Sequence, residues 1–354
     1  MEASSHRDRL ADHVAIGTRL SLLSDSRLAD AVSTAEPLGT GIGGRAALMD
    51  VAGRRVFVKR VPLTELELRP ENVRSTANMF ALPLFYQYGI GSAGFGAWRE
   101  LAAHVMTTGW VLRDEYGGFP LLHHWRVLAD APPTGFVDVF GGVEGAVAHW
   151  EGSPAVRRRL EAIAGAPASV VLFLEHVPST LADWLARARG TAGVADARVY
   201  RWVEEELERG TSFLSGRGMV HFDAHFRNLL TDGHRVYFAD LGLALSRDFE
   251  LAPQEAAFLA DHLDYDRAYT PAHLLRHHLL DRLRGEIPHP DFLRAWVAGR
   301  APVAVPPGIA ALVDRHARAS LVLDDFFDSL LTHSKRTPIP ADRLRRALTA
   351  SRGV

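Results

Sequence analysis

Three polar side chains stand in an otherwise apolar run between Val220 and Ala244: Asp223, Asn228 and Asp240. Asp223 and Asn228 are five residues apart, in a His-x-Asp-x-x-x-x-Asn pattern that begins at His221. Asp240 follows twelve residues after Asn228, directly ahead of Leu241-Gly242. One carboxylate can orient or deprotonate a hydroxyl, and further oxygen ligands can hold Mg²⁺ against phosphates. Those are the needs of phosphoryl transfer from ATP. A loop carrying Asp and Asn, then a short hairpin ending in a second Asp, supplies all three groups from one local unit. Read singly, Asp223 and Asp240 are more often cap or turn residues than catalytic ones, and Asn228 is explained as a turn residue. The order and spacing of the set point to chemistry.

Such groups need a frame to hold them. The chain has 354 residues, 47% of them hydrophobic, enough for a large core or two lobes. A net charge of −2 gives no general attraction to nucleic acid or to an anionic membrane. With no cysteine, disulfides, thiolate metal sites and a cysteine nucleophile are excluded. No stretch reaches the roughly 18 apolar residues of a membrane span and the first residues hold no apolar leader, so a cytoplasmic location is expected. Residues 7–32 carry apolar positions at helical spacing and predict one or two short helices.

From Leu38 the texture changes. Gly39-Thr40-Gly41-Ile42-Gly43-Gly44 precedes two apolar runs separated by a turn at Ala52-Gly53, the pattern of a β-hairpin behind a glycine-rich loop. A G-x-G-x-x-G alone is weak, since glycine turns are common, and a dinucleotide-binding fold needs its glycines to open a helix. Lys59 lies in the second run. Burying a lysine in such a strand is costly without an anionic partner; an edge position is the alternative. A second cluster, Gly89 to Gly96, leads straight into a helix predicted over 97–106, with Glu100 beside the apolar stripe of Trp98, Leu101 and Val105. No lysine-bearing strand follows it, so it suits a helix approach or a substrate loop.

Together, the loop motif, the Asp-x-Gly, the strand lysine and the glycine-rich loop resemble the catalytic core of the protein-kinase-like superfamily, which includes aminoglycoside and other small-molecule phosphotransferases. The resemblance covers residues 38–60, 97–108 and 169–245, and the C-terminal helices only in texture. It implies an α+β, bilobal protein-kinase-like fold. The parts would be an N-terminal helical extension at 1–35, a β-rich ATP-binding N-lobe at 36–175 with insertions at 64–96 and 129–168, and a mainly helical C-lobe at 176–354. It also implies an ATP- and Mg²⁺-dependent phosphotransferase. Asp223 would then be the catalytic base, and Asn228 and Asp240 the metal ligands. Lys59 would hold the phosphates, positioned by Glu100 and covered by Gly39, Gly41 and Gly44. Glu175 and Val177 would lie at the hinge against adenine, and His221 would brace the loop. Glu100 lies further from Lys59 than the family's usual spacing, and a solvated helix glutamate is the alternative.

Departures from the pattern bear on the acceptor. Phe222 stands where protein kinases carry Arg, and His225 where they carry Lys, as in many aminoglycoside-type enzymes; no Ala-Pro-Glu follows Gly242. Ala239 to Ala244, by contrast, look more like the protein-kinase version. The expected acceptor is a small-molecule hydroxyl. A serine/threonine kinase acting on a protein or peptide, a nucleotide-binding pseudokinase-type regulator and a nucleotidyl transferase are the alternatives.

The remaining chain reads as helices. Thr180 to Asp183 form a capping box, and a helix is predicted over 199–214. Thr270-Pro271 reads as the N-cap and first-turn proline of a helix reaching Arg284, followed by helices at 291–297, at 309–331 and from Ala341. His273 and His277 are spaced to share a Zn²⁺, but without an H-E-x-x-H glutamate a solvated or core cluster with His278 is the simpler reading. Asp324, Asp325 and Asp328 resemble the acidic groups that receive cationic substrates in aminoglycoside-type enzymes, against an ordinary solvated face. On this reading activity needs no phosphorylation after Gly242, because Phe222 cannot pair with a phosphate. Strong activation on phosphorylating that segment would contradict it.

Overall fold

The third strand, Arg54–Leu63, alternates its side chains between two apolar layers and so fixes the architecture around it. Val56 and Val58 face one layer, with Ile16, Leu20, Leu28 and Val32 from two N-terminal helices. Val61 and Leu63 face the other, with Trp98 and Leu101. Lys59 shares the parity of Val61 and therefore points to the Trp98 side.

The computed structural model describes residues 5–190 and 196–350, so the first four residues of the expected N-terminal extension lie outside it. The chain is mixed α+β and divides into two compact units, Met1–Val177 with Asp240–Ala256, and Pro178–Ala239 with Ala257–Val354. In the first unit the elements are α1 (His6–Ser21), α2 (Asp25–Ser33), β1 (Glu36–Gly41), β2 (Gly44–Val51), β3 (Arg54–Leu63), α3 (Glu65–Leu68), α4 (Ala97–Leu112), β4 (Leu122–Ala129), α5 (Val143–His149), α6 (Pro154–Ala164) and β5 (Ala168–Glu175). The strands form one antiparallel sheet in the order β1-β2-β3-β5-β4. β3 is thus central, where a lysine is buried on entry rather than left at an edge.

The two stretches expected as insertions pack on each other. Tyr86 meets Trp150 edge-on at 4.7 Å, Phe85 stacks on Trp150 at 6.1 Å, and buried Glu67 pairs with buried Arg159 at 2.9 Å. α1, opened by a Ser5–Asp8 capping box, is anchored by Arg9. The Arg9 guanidinium forks onto both carboxylate oxygens of Glu175 at 2.7 Å and also donates to the carbonyls of Gly117 and Phe119.

The second unit contains β6 (Ser179–Thr180), α7 (Leu181–Arg189), α8 (Ala197–Gly216), β7 (Met219–Val220), β8 (Leu229–Thr231) and β9 (Val236–Phe238). The chain then gives β10 (Leu245–Ser246) to the first unit and runs through α9 (Pro253–His262) into α10 (Tyr265–Leu274), α11 (His289–Val297), α12 (Pro307–Thr332) and α13 (Ala341–Ala350). β6, β8 and β9 make a small antiparallel sheet. α12 is the axis of the helical part, packing on α8, α10, α11 and α13 through Leu312, Val313, Leu323, Phe326 and Leu330.

Thr270-Pro271 does not start a helix. Both lie inside α10, which begins at Tyr265 and gives way at Leu275 to a π-helical turn, Leu275–Leu279. Thr270 satisfies its buried hydroxyl on the Asp266 carbonyl one turn back, and burial of this helix against α8 and α12 outweighs the local cost of the proline.

Replacing Arg9 by Leu should cost about 2–3 kcal/mol in a denaturant titration, because it strands a half-shielded carboxylate and two carbonyls. An unchanged midpoint would show that α1 is not held by this contact.

Candidate functional site

In the first unit, the alternation of β3 and the start of α4 bring three charges together. Lys59 Nζ lies 2.6 Å from Glu100 Oε1 and 2.7 Å from Asp240 Oδ1. Glu100 is one turn into α4, on the face that packs against the sheet, and is itself buried. Burial works against the Lys59 charge, but the carboxylates of Asp240 and Glu100 outweigh it and hold the ammonium above the ordinary lysine value. For Glu100 burial dominates and pushes the carboxyl up despite Lys59. Asp240 sits in left-handed backbone, φ +56°, with its carboxylate about half exposed. A non-glycine residue in that region costs of order 1–3 kcal/mol, and such strain concentrates at functional sites.

The glycine-rich turn comes near the same lysine at Gly43. A Cβ added to Gly43 would sit 3.4 Å from Lys59 Nζ, whereas Gly39 and Gly41 have no neighbour there within 4 Å. Gly44 (φ +131°) serves the sheet: its missing Cβ would lie 2.3 Å from the Arg60 carbonyl oxygen, so it lets β2 close onto β3. At the other end of β5, Glu175 commits its side chain to Arg9 and its N–H to Leu121 O at 2.8 Å. Val177 is the last residue of the unit's first segment.

In the second unit, the loop after β7 holds Asp223 and Asn228. The Asn228 amide donates to Asp223 Oδ2 at 2.9 Å and to the Asp223 carbonyl at 3.0 Å. Its amide nitrogen thus faces Asp223, and its oxygen is the atom with which the side chain could accept a bond or hold a cation. His221 Nε2 donates to the Ala239 carbonyl at 2.8 Å, and its Nδ1 accepts the Asp223 N–H at 3.3 Å, so the ring ties the loop to the end of β9. His225 Nε2 lies 3.8 Å from Asp223 Oδ1. Tyr269 lies close enough that burial, and then the charge of Asp223, hold its phenol above the usual value.

Sequence reasoning missed the residue that fixes this loop. Phe222 has φ +65°, and fully buried Asp266, at the start of α10, accepts its N–H at 3.1 Å and that of His221 at 2.6 Å. Phe222 itself packs among Phe258, His262 and Tyr265. Burial pushes the Asp266 carboxyl up to about 7, the two N–H donors opposing the shift. The only signal was an acidic residue on a helix destined for the core, and the sequence did not show that destination.

Of the other expected clusters, the acidic one is engaged in ion pairs, and the histidine one abuts the Asp223 loop, with His273 stacked on His225 at 6.3 Å. Asp324 faces Arg276 at 3.2 Å and His289 at 3.7 Å, and Asp325 faces Arg294 at 3.1 Å and Arg343 at 3.7 Å. His273, His277 and His278 share ring contacts of 4.6 to 6.5 Å, with His273 also beside Phe226. Among the described residues, no group of three or more His, Cys, Asp or Glu side chains is arranged to hold a metal ion. The oxygen donors of Asp240 and Asn228 are of the hard kind Mg²⁺ takes when phosphates and water complete its shell. No family model matches the chain, and no curated protein matches it significantly.

Asp266→Asn can accept only one of the two loop N–H groups, and should lose about 1–3 kcal/mol of stability. The sign of its pH dependence follows from the raised carboxyl. The folded state holds the proton more tightly than the unfolded one, so the residue's contribution is full below about pH 4 and is lost as pH rises through about 7. The stability advantage of the wild type over the variant should therefore shrink across that window in urea titrations. An advantage that grows with pH would contradict the assignment.

Proposed function

We propose that the chain is an ATP- and Mg²⁺-dependent phosphotransferase of protein-kinase-like fold, its two units being the N- and C-lobes, with a small-molecule hydroxyl as acceptor. The observation that carries this reading is the buried Lys59 ammonium between the Glu100 and Asp240 carboxylates. Stability gives no reason for such a group, because well-packed apolar side chains in place of buried ion pairs are often neutral or stabilising. Anionic phosphates give one.

In this reading Lys59, held charged, receives phosphate oxygens, and Glu100 fixes where its ammonium lies. Mg²⁺, which such a transfer needs, would neutralise charge developing on the phosphates, and Asp240 of the first unit and Asn228 of the second are the oxygen donors proposed for it. Asp223, aimed by the Asn228 amide on one oxygen, takes the proton of the attacking hydroxyl. The positive-φ backbone at Phe222, pinned by Asp266, sets the direction of that carboxylate. Glu175 would meet adenine through its carbonyl, since its N–H is committed to the sheet.

The test is ³¹P NMR and mass spectrometry of reactions with ATP, Mg²⁺ and a panel of hydroxyl compounds, with casein-like proteins alongside. A small molecule heavier by one phosphate is expected, and Asp223→Ala should lower its rate by about 10²–10⁴ while ATP still binds. Transfer of AMP, phosphate on protein alone, or near-normal turnover in the variant would contradict the reading.

A further inference from the structure

Residues 64–96, outside the part of the chain that carries the family resemblance, make bonds of a consistent kind. We propose, resting on the phosphotransferase reading, that this stretch is a permanent brace that holds α4 and the segment after Asp240 in their assembled positions. Glu67, Gln87 and Thr76 are its positioning residues.

One end of the brace fixes the start of α4. Glu67 is fully buried, and its Oε1 accepts the N–H of Ala97, the first residue of α4, at 2.7 Å. Its Oε2 accepts the Thr64 N–H at 3.1 Å, the Thr64 hydroxyl at 2.6 Å and Arg159 Nη1 at 2.9 Å. Trp98 Nε1 donates to the Glu67 carbonyl at 2.9 Å. A carboxylate satisfied on every side thus sits at the positive end of the helix whose first turn presents Glu100 to Lys59. α4 cannot swing without exposing or unpairing that charge, which is strongly unfavourable.

The other end grips the chain beyond Asp240. Gln87, buried, donates its amide to the Leu243 carbonyl. Gly94 (φ +72°) lies so close to the Gly242 carbonyl that a Cβ would meet it at 2.8 Å. Thr76 accepts the Glu250 N–H at 2.8 Å and donates its own N–H to the Glu250 carboxylate at 3.1 Å, with Ser75 on the same oxygen. Arg99 of α4 links both ends: it donates to the Thr76 carbonyl at 2.6 Å and pairs with buried Glu255 at 2.7 Å. Contacts at 242, 243, 250 and 255 leave little of this segment able to move alone, and local opening scales with how few such contacts hold a region. In enzymes that switch, activation loops are ordered by a new phosphate pairing with Arg. Here the same ordering is encoded in the chain, so the Lys59–Glu100–Asp240 group stands assembled without a modification.

Hydrogen–deuterium exchange on the full chain tests this, with Gln87→Ala and the exposed Glu250→Ala as variants that spare the Glu67–Arg159 pair. In the wild type, amides of 241–250 should be protected like those of β3. Each variant should exchange there about three- to tenfold faster, with β3 and β5 unchanged, and Glu250→Gln, which keeps the acceptor oxygen, should recover most of the protection. The affinity for ATP with Mg²⁺ should fall by a similar factor. Unchanged exchange in both alanine variants, or a wild-type segment exchanging as freely as an exposed loop, would overturn the brace. A wild type that shows the expected exchange but binds no nucleotide would instead overturn the phosphotransferase reading on which the positioning role rests.

Discussion

An ammonium group inside a β-sheet core survives only while opposite charges meet it at contact distance, and the first unit is organised to meet Lys59. The central place of β3 buries the lysine. The packing of α4 on the sheet brings Glu100 to 2.6 Å, and left-handed backbone at residue 240 brings Asp240 to 2.7 Å. Desolvation of a charge in such a site costs several kcal/mol and is repaid only by good geometry and full hydrogen bonding. The remoter features follow from that demand: Glu67 at the head of α4, Arg159 behind it, and the bonds from 75–94 to the segment after Asp240 all keep the carboxylates where the lysine needs them.

The second unit solves a different problem, that of presenting a carboxylate from a loop without letting the loop relax. Phe222 holds a backbone conformation that a bulky residue ordinarily avoids. Two N–H bonds to Asp266 and a cage of aromatic rings hold it there, and Asn228 and His221 then tie Asp223 to the strand that leads to Asp240. Strain of this kind is stable only when its surroundings over-determine it.

What the sequence revealed and what it hid divide by distance along the chain. The glycine hairpin, Lys59 in a strand, Glu100 on a helix and the 220–244 motif are local patterns, read from period and spacing within a few residues. Glu67–Arg159, Arg9–Glu175 and Asp266 under Phe222 join positions 92, 166 and 44 residues apart, and no local period marks them. Thr270-Pro271 misled for a related reason. The pair is a good local start signal, but the helix is set by burial on α8 and α12 and runs through it. Within the glycine loop, the close approach of the Arg60 carbonyl to Gly44 and the nearness of Gly43 to the lysine both depend on how β2 folds onto β3, which no local pattern shows.

We propose that the Lys59–Glu100–Asp240 group is built for nucleotide phosphates and a divalent cation. Calorimetric titration of ATP into the wild type and into Asp240→Asn, each with and without Mg²⁺, tests it most directly. Mg²⁺ should tighten ATP binding to the wild type by about tenfold or more, and the asparagine variant should lose that gain while still binding the nucleotide. ATP binding that is absent, or that is the same with and without Mg²⁺ in both proteins, would contradict it.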